Sequence, residues 1–583
     1  MTYQVEDGDT FDFIVVGSGT AGSIVASRLS EIEGWKVLLL EIGEDPPIES
    51  IIPNFSGSLY KSHHVWQYYT EKSNSTNRAS VDQRSFWPRG RLLGGTGSIN
   101  GLYHMHGSYG DYEKWQVEWK DGWEWENIKK YFKKSEKIID PFILSKPELL
   151  KNYGTDGEFV IDKLNATYPD IADKLIKAYQ EMGLTYLDDF NGDTQMGVGK
   201  MRGGIYKGKR VSTATAFLNS ARDRKNLYVL KLAFVTKVLI DDKYQAKGVN
   251  VIVSPGRMVT FYASKEVILS TGAVNTPVLL MLSGIGNKKH LGKLKIDVKS
   301  HLPVGRNLQD HVRIPIPITI DTGAKSDSEL FWIKAAAQYL LDQSGPYATK
   351  HDQPNVNAFI SVSETKDLPD VQINHAYFVP NTPYIPSLCT DALSFDDSIC
   401  QQLENMNSDK ELLIFYVSLC RPHSRGKILL RSTNPTDFPK IYPNYFGDEK
   451  DMETFVKAIR RLTDILNTPT FKNINAEIKR IHHEDCDSTE FLSVEYWQCM
   501  ARTVTSNVYH PVGTAKMGSE LAFDSVVNNR LCVLGIKGLR VVDASIMPTI
   551  PSVNINAAIM MIAERASDII KSDYAVSNVK DEL

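Results

Sequence analysis

Hydrophobic and polar positions change their period twice between residues 11 and 41. Phe11 and the run Phe13–Val16 form a short apolar, β-branched segment, which predicts a strand buried on both faces. From Ala21 to Ile32, apolar residues recur at steps of three and four, which predicts a helix with one apolar stripe. The run VLLLE that follows predicts a second buried strand. The pattern therefore indicates a strand–helix–strand unit with parallel strands.

Beyond residue 41 the pattern is weaker. Residues 45–85 show little periodicity and are predicted to be irregular, and residues 320–500 are predicted to be more irregular and more polar than the rest. The other periodic segments are a charged helical region at 109–137, strands within 226–238 and 247–271, a short helix in TPVLLMLSG ended by glycine, and an amphipathic helix in AAIMMIAERASDIIK.

Length and charge narrow the class of protein. The chain has 583 residues, of which 42% are hydrophobic, enough for a large core and more typical of two domains than of one. With 66 Lys plus Arg against 70 Asp plus Glu, the chain lacks the basic field that nucleic acid requires, so no nucleic-acid partner is predicted. No apolar run approaches the roughly 18 to 20 residues that span a bilayer, and no membrane partner is predicted either.

Cysteine usage bears on the redox environment. Six cysteines are too few for a disulfide scaffold in a chain of this length. Cys389 and Cys400, like Cys486 and Cys499, are close enough in sequence to form local disulfides in an oxidising compartment. Buried free thiols are an equally open alternative.

The end of the chain carries a targeting signal. Residues 580–583 spell KDEL, which a receptor reads to return proteins to the lumen of the endoplasmic reticulum. We therefore expect the endoplasmic reticulum lumen or secretory pathway if a leader is missing from this sequence, and the cytoplasm otherwise; an artificially added tail is also open. Asn54, Asn74 and Asn165 begin glycosylation sequons, a number close to chance for this length.

A glycine pattern lies at the turn of the first unit. Gly17, Gly19 and Gly22 match GxGxxG between a predicted strand and helix, and Glu41 ends the next strand. In such a site the first glycine permits the turn, the second lets backbone approach a pyrophosphate, and the third packs helix on strand. The acid binds a ribose hydroxyl and would repel the 2′-phosphate of NADP. The pattern predicts a site for NAD or FAD.

Four blocks of the sequence together resemble the glucose-methanol-choline oxidoreductase family of FAD-dependent alcohol oxidases and dehydrogenases, most closely its insect members. Shorter matches are VGRNLQDH and the NYF that follows HSRGKILLRS. The blocks are the GxGxxG segment, WPRGRLLGGTGSINGLYHMHG at 87–107, GAVNTPVLLMLSGIG at 272–286, and the stretch from NVYHPVGTAKMG through GLRVVDASIMPTIPSVNINAAIMMIAERASDII.

The resemblance implies an α/β fold: a Rossmann-like FAD-binding domain joined to a discontinuous α+β substrate-binding domain. It places the FAD-binding region at residues 10–312, with a flavin-covering loop at 87–107, and most of the substrate-binding domain at 313–499. Residues 500–571 return to the FAD domain with the catalytic pair, and 572–583 form the tail.

The resemblance also implies a catalytic pair. His510, in SNVYHPVGTAKMG, matches the family's catalytic histidine, and Asn554 matches its partner position. Alcohol oxidation removes a proton, for which imidazole is the usual base, and a hydride, which flavin N5 accepts. An amide is no base at neutral pH, so Asn554 is expected to donate a hydrogen bond to the developing alkoxide. The N-terminus of the last helix is expected to face the flavin.

FAD contacts are expected along the matched blocks. The flavin is expected to bind without a covalent bond, because the residue before Asn100, where some family members attach it through histidine, is Ile99. The expected cofactor-binding residues are Gly17, Ser18, Gly19, Thr20, Ala21, Gly22, Glu41, Arg89, Gly90, Gly94, Gly95, Asn100, Gly101, Val235, Gly272, Asp543, Ala544 and Asn554.

Departures from the family pattern and competing interpretations remain. His104 and His106 could share one strand face, but no third metal ligand is evident, so no metal is predicted and one of the two is expected at the pocket mouth.

An NAD dehydrogenase would leave the 87–107 and 506–556 blocks unexplained. A flavin-binding family member without turnover is the main alternative. The sequence leaves the substrate open, which can be an aromatic or allylic alcohol or a sugar. It also leaves open the electron acceptor, which can be oxygen or another compound, and the oligomeric state.

Overall fold

The computed structural model describes residues 5–116, 122–192, 194–254, 256–363 and 368–580 and contains two large sheets. The predicted retrieval signal spans 580–583, and its residues 581–583 lie outside the described residues. Strands of the first sheet follow the spatial order Leu227–Leu230, Val37–Leu40, Thr10–Val16, Arg257–Leu269, Ala246–Val253 and Ala233–Ile240, with Leu539–Val541 beside Arg257–Leu269.

The predicted strand–helix–strand unit lies at the centre of the first sheet. Thr10–Val16 pairs in parallel with Val37–Leu40 on one side and with Arg257–Leu269 on the other, and the helix Thr20–Leu29 connects the first two strands. Parallel strands buried on both faces are continuous apolar runs, which is why the sequence pattern predicted them. This part of the prediction is confirmed.

The second sheet is antiparallel and contains much of the segment predicted to be irregular. That prediction was wrong, since residues 320–500 include three long strands and several helices. Strands of the second sheet follow the order Glu477–Ile478, Val312–Ile320, Glu411–Leu419, Val371–Phe378, Val356–Ile360 and Gly197–Lys200, with Ser506–Asn507 beside Val312–Ile320.

Smaller sheets and helices complete the described fold, and one strand of a hairpin, Val65–Tyr69, lies within the segment 45–85 that was predicted to be irregular. The small sheets pair Val65–Tyr69 with Phe86–Gly90, Glu136–Ile138 with Phe159–Lys163 and Arg202–Gly203, Ile205–Tyr206 with Lys209–Arg210, and Lys427–Leu429 with Lys440–Tyr442. The α-helices are Thr20–Leu29, Ile48–Ile51, Tyr109–Tyr112, Trp125–Ser135, Pro141–Leu144, Pro147–Leu150, Pro169–Glu181, Gly272–Leu282, Lys288–Lys293, Glu329–Asp342, Tyr384–Ser387, Asp397–Asn407, Glu449–Thr463, Pro469–Lys472, Val494–Thr503 and Asn556–Lys580.

The first and last helices are buried more completely than predicted. Every residue of Thr20–Leu29 is buried, whereas Ile32, assigned to the same stripe, lies beyond the helix and is exposed. The last helix, Asn556–Lys580, is likewise buried all round over most of its first half, so it is not amphipathic there. Arg28 meets Glu564 between the two helices at 2.7 Å. Each helix shields the other from water, which is why the single apolar stripe was the wrong expectation.

The predicted domain division stays a prediction. Two short strands from the regions predicted to belong to the FAD domain pair in the second sheet. They are Gly197–Lys200, from region 10–312, and Ser506–Asn507, from region 500–571. Within the described residues, no helix combines the length and the apolar character needed to cross a bilayer.

Candidate active site

A cavity of about 690 Å³ is lined by residues of both large sheets. The turn after the first strand and the glycine-rich loop form one side, and strands of the second sheet form another. The N-terminus of the last helix also reaches the cavity wall. The cavity therefore joins the predicted nucleotide site to the predicted catalytic pair.

The three glycines of the first turn have different surroundings. Gly17 has a φ of +93°, and a Cβ there would lie 2.7 Å from the carbonyl oxygen of Ser270. A Cβ on Gly22 would lie 1.8 Å from the carbonyl oxygen of Gly17. A Cβ on Gly19 would meet nothing closer than the Cα of Gly95, at 4.0 Å. The open space beside Gly19 faces the cavity, where a pyrophosphate could approach the backbone.

Two helix N-termini meet at this end of the cavity. The helix Thr20–Leu29 has no side-chain cap at Gly19, which leaves backbone N–H groups of its first turn available to a ligand. Thr20 Oγ1 donates to Asn556 Oδ1, at 2.9 Å, where the last helix begins. Partial positive charge from both helices favours an anion here, as the phosphates of a dinucleotide require.

The carboxylate of Glu41 is held by backbone and hydroxyl donors. Its Oε2 accepts from Ser18 N at 2.9 Å and from Ser18 Oγ at 2.8 Å, and its Oε1 accepts from Gly43 N at 2.9 Å. Burial raises the pKa of Glu41. Lone pairs of Oε1 remain for a hydroxyl, so the residue can accept from a ribose as predicted.

The glycine-rich loop at 87–107 packs directly on the first turn. Gly94 N donates to Ser18 O at 2.8 Å, and a Cβ on Gly95 would lie 2.7 Å from the Cα of Gly19. Asn100 Oδ1 accepts from Arg210 Nη1 at 2.6 Å. The loop is thereby fixed over the nucleotide side of the cavity.

A chain of hydrogen bonds fixes the tautomer of His510. His311 Nε2 lies 3.0 Å from the carbonyl oxygen of Cys420, which can only accept, so this nitrogen carries the proton. Burial lowers the pKa of His311 to about 4, so the imidazole is neutral and its Nδ1 is an acceptor. His510 Nδ1 lies 3.0 Å from that atom and must donate to it. The unprotonated nitrogen of His510 is therefore Nε2.

Asn554 faces the free nitrogen of His510. Its Nδ2 lies 3.3 Å from His510 Nε2, and its Oδ1 accepts from Gln372 Nε2 at 3.2 Å. Gln372 thus orients the amide so that Nδ2 points toward the histidine. A substrate hydroxyl placed between Asn554 Nδ2 and His510 Nε2 would meet a hydrogen-bond donor on the amide and an acceptor on the imidazole.

The segment before His510 is held in an uncommon backbone conformation. Tyr509 has a φ of +63°, a region that costs a non-glycine residue roughly 1–3 kcal/mol. Arg89 Nη2 donates to Tyr509 O at 2.7 Å, and Asp310 Oδ1 accepts from His510 N at 2.8 Å. Burial raises the pKa of Asp310 to about 6. Burial is the main cause that lowers the pKa of His510 well below its usual value, and the positive charge of nearby Arg89 lowers it further.

Most of the predicted contact residues line this one cavity. Ser18, Gly22 and Gly94 do not, and they support the wall from behind. The carboxylate of Asp543 is committed to Gly272 N, at 2.8 Å, and to Thr276 Oγ1, at 2.6 Å. The predicted residues on the wall are Gly17, Gly19, Thr20, Ala21, Glu41, Arg89, Gly90, Gly95, Asn100, Gly101, Val235, Gly272, His510, Asp543, Ala544 and Asn554.

His104 and His106 lie away from the pocket mouth, so that expectation was wrong. Both are buried, and the Nε2 atoms of both contact Oε1 of Glu136, at 2.8 Å for His104. Glu136 is the third potential ligand that the sequence did not reveal, because it lies 30 residues after His106. Nearby His106 and His104 hold the pKa of Glu136 well below its usual range despite burial, which by itself would raise it.

Comparison with known proteins agrees with this geometry. The two models of the GMC oxidoreductase family match residues 11–313 and 422–563. The chain belongs to the GMC oxidoreductase family. It is 38% identical to ecdysone oxidase of Bombyx mori over 99% of this chain and 84% of that protein. It is 35% identical to the FAD- and quinone-dependent glucose dehydrogenase of Drosophila pseudoobscura pseudoobscura, over 98% of this chain and 88% of that one.

A solved structure supports the same fold. The chain resembles formate oxidase of Aspergillus oryzae with a TM-score of 0.84 and 26% identity, covering 98% of this chain and 100% of that one. This GMC oxidoreductase is accordingly an FAD-dependent enzyme that acts on CH–OH groups. The open space beside Gly19, the uncapped first helix and the carboxylate of Glu41 fit the pyrophosphate and the adenosine ribose of FAD.

Three residues around the catalytic pair were not assigned from the sequence. His311 and Asp310 lie in the motif VGRNLQDH, which was matched to the family without a role for either side chain. Gln372 lies in a strand that was not predicted. The adjacent Asp and His at the end of that motif were the sequence feature that could have indicated a role for Asp310 and His311. Nothing in the sequence connects Gln372 with Asn554.

Proposed function

We propose that the protein oxidises an alcohol to an aldehyde, ketone or lactone, with His510 as the base that removes the hydroxyl proton. The observation that carries the proposal is the hydrogen-bond chain from Cys420 through His311, which leaves Nε2 of His510 unprotonated. The low pKa of His510 keeps this nitrogen neutral near pH 7. When bound, FAD accepts the hydride from the carbinol carbon.

Asn554 completes the site for the substrate oxygen. With its Nδ2 3.3 Å from His510 Nε2, the amide can donate to an oxygen whose hydroxyl proton points at the imidazole. As the proton leaves, the oxygen gains negative charge and the Asn554 hydrogen bond strengthens. Gln372 fixes the direction of that donor and need not touch the substrate.

Anaerobic titration tests the proposed activity. The purified protein, yellow with FAD, is mixed without oxygen with a panel that includes aromatic and allylic alcohols, glucose and ecdysone, the last two suggested by the relatives' names. We expect at least one alcohol to bleach the flavin near 450 nm. A family member without turnover would show a shifted spectrum with ligand and no bleaching by any compound. Admitting air, and then a quinone, afterwards distinguishes an oxidase from a dehydrogenase.

We also propose that FAD is held without a covalent bond. The residue before Asn100 is Ile99, which lines the cavity and has no nucleophilic atom to add to the flavin. Acid precipitation should release the yellow colour into the supernatant. Colour that stays in the washed pellet would contradict this proposal.

The compartment is a further proposal, supported by two disulfides. Cys389 is bonded to Cys400 and Cys486 to Cys499, as expected for an oxidising environment such as the secretory pathway. Free thiols at these four positions were the alternative, and the structure does not have them. Expression in insect cells followed by endoglycosidase H digestion tests the location, since residence in the endoplasmic reticulum leaves N-glycans sensitive.

A further inference from the structure

Two neighbouring rows of the second sheet carry buried polar atoms without partners. On one face of the sheet Arg313 pairs with Ser418, and in the next row on that face Pro315 pairs with Tyr416. Arg313 Nε, Ser418 Oγ and the hydroxyl of Tyr416 each lack a hydrogen-bond partner among the described residues. Buried polar atoms are normally paired, so several unpaired ones in adjacent rows indicate a place built for a ligand.

Arg313 lies on the cavity wall beside the catalytic pair. It is two residues after His311, which directly precedes the strand Val312–Ile320. Its charge also contributes to the low pKa of His510. Both Arg313 and Tyr416 line the cavity, and the guanidinium carbon lies 4.4 Å from the centre of the Tyr416 ring.

The guanidinium of Arg313 has no counter-ion in the part of the chain that the structure describes. Asp352 and Asp391 line the same cavity, but neither forms a salt bridge with it within 4.0 Å. An unpaired charge in a largely enclosed site is costly, and an incoming oxyanion would remove that cost. The planar fork of arginine binds carboxylate, sulfate or phosphate oxygens bidentately, and the Tyr416 hydroxyl supplies one more donor.

We propose that Arg313 and Tyr416 form a subsite for an oxyanion carried by the substrate, so that the preferred substrate is an alcohol with a carboxylate, sulfate or phosphate group away from the carbinol. The inference rests on the proposed function, because it concerns the substrate of the same cavity. It makes Arg313 a residue that determines specificity, while His510 and Asn554 act on the hydroxyl.

Matched substrates test the subsite without depending on the absolute rate. For 4-(hydroxymethyl)benzoate and its methyl ester, and for longer pairs such as 6-hydroxyhexanoate and its methyl ester, we compare kcat/KM. In the wild type we expect at least one acid to exceed its ester by about 10-fold or more, as charged hydrogen bonds provide. In Arg313→Met that ratio should fall to about 1, with most of the change in KM for the acid. Tyr416→Phe should lower it about 3- to 10-fold.

Controls distinguish the loss of the subsite in Arg313→Met from misfolding and from the change in net charge. Lys72→Met removes one exposed positive charge elsewhere and should leave the acid-to-ester ratio unchanged. Benzoate, hexanoate, sulfate and inorganic phosphate, which cannot be oxidised, are titrated against the flavin spectrum of the holoenzyme. They distinguish the kinds of oxyanion, and Arg313→Met should weaken the binding of the best of them about 10-fold or more.

Two results would overturn the subsite. One is a wild-type enzyme that oxidises every ester as well as its acid, and the other is an Arg313→Met enzyme that keeps both the acid preference and the oxyanion binding. If no alcohol of any kind bleaches the flavin, the proposed function fails, and the oxyanion titration with Arg313→Met still decides whether the subsite exists.

Discussion

At the scale of single residues, the direction of one proton determines the chemistry. His510 can act as a base only because His311 accepts from its Nδ1 and Cys420 O accepts from His311 Nε2. A histidine with the opposite tautomer would present an N–H to the substrate and could not remove its proton. The buried, neutral His311 is therefore as important to the proposed activity as the residue that contacts the substrate.

The pH dependence of the enzyme follows from the pKa of His510. A base works only when it is unprotonated, and the pKa of His510 lies well below its usual value of 6.5. We expect kcat/KM for a neutral alcohol to be constant from pH 6.5 to about 8 and to fall only as the pH drops below 6.5. Initial rates across this range provide the measurement. An increase in kcat/KM centred at pH 7 or above would contradict the assignment.

Asn554 should affect the rate and leave flavin binding intact. Removing a hydrogen-bond donor from a developing oxyanion costs about 10²- to 10³-fold in kcat, and we expect Asn554→Ala to fall in this range. Asn528→Ala, at a half-buried position away from the cavity whose amide contacts Glu520 and the backbone N–H groups of Arg530 and Cys532, is the control and should keep wild-type kcat. The test is kcat per bound flavin; equal values for the two variants would rule out the donor.

The sequence revealed those site residues whose role depends on residues close to them in the sequence. The glycines of the first turn and Glu41 follow a fixed spacing, so they could be assigned from the pattern. His510 and Asn554 were assigned through the family resemblance. His311 could not be assigned a role, because its function depends on a contact with a residue 199 positions away. Gln372 and Arg313 lie on the two strands that flank Glu411–Leu419 in the second sheet, and their position beside the cavity follows only from the register of that sheet.

At the scale of elements, the first and last helices are joined by buried charge. Arg28 Nη2 lies 2.7 Å from Glu564 Oε1, and the side chain of Glu564 is fully buried. Arg28 keeps Glu158 and Glu31 as partners when Glu564 is replaced, so Glu564→Gln removes buried charged hydrogen bonds and should lower the free energy of unfolding by about 2–3 kcal/mol. Glu31→Gln removes the contacts of a partly exposed carboxylate with Lys571 of the last helix and with Arg28, and it should cost about 1 kcal/mol or less.

Denaturant titration of both holoenzyme variants tests this difference. Because the last helix brings its N-terminus to the FAD site, we also expect Glu564→Gln to lose FAD at a lower denaturant concentration than Glu31→Gln does. Equal midpoints for the two variants would show that the buried pair contributes no more than the exposed one.

Elements were predictable where burial gave a simple period. The strands Thr10–Val16 and Val37–Leu40 are continuous apolar runs and were found. The strand Val371–Phe378 contains three polar residues, Gln372, Asn374 and His375, among its apolar ones. Asn374 and His375 line the cavity. Polar residues that serve a cavity resemble those of a surface loop, so this part of the second sheet was missed.

At the scale of the whole molecule, the Cys389–Cys400 disulfide closes a segment of the cavity wall. Cys389–Cys400 encloses Asp391 and Ala392, both on the cavity wall, and Tyr509 donates through its hydroxyl to Ala392 O. Closing a short loop typically contributes about 2–4 kcal/mol. The double variant Cys389→Ala/Cys400→Ala should therefore unfold at a lower temperature and raise KM, because the wall beside Tyr509 loosens.

The Cys486–Cys499 disulfide provides the comparison. None of the residues that it encloses lines the cavity, so Cys486→Ala/Cys499→Ala should lower the unfolding temperature without a matching change in KM. Thermal unfolding and KM are measured for both double variants. A similar effect of the two on KM would argue against a role for the first disulfide in shaping the cavity.

The central claim is that His510 removes the substrate proton, and single-turnover flavin reduction tests it most directly. Oxidised wild-type enzyme and His510→Ala are mixed anaerobically with the best alcohol of the panel, and the loss of flavin absorbance is followed in a stopped-flow instrument. With normal flavin content, His510→Ala should be reduced about 10²- to 10⁴-fold more slowly at pH 7. Reduction of His510→Ala at the wild-type rate would contradict the account.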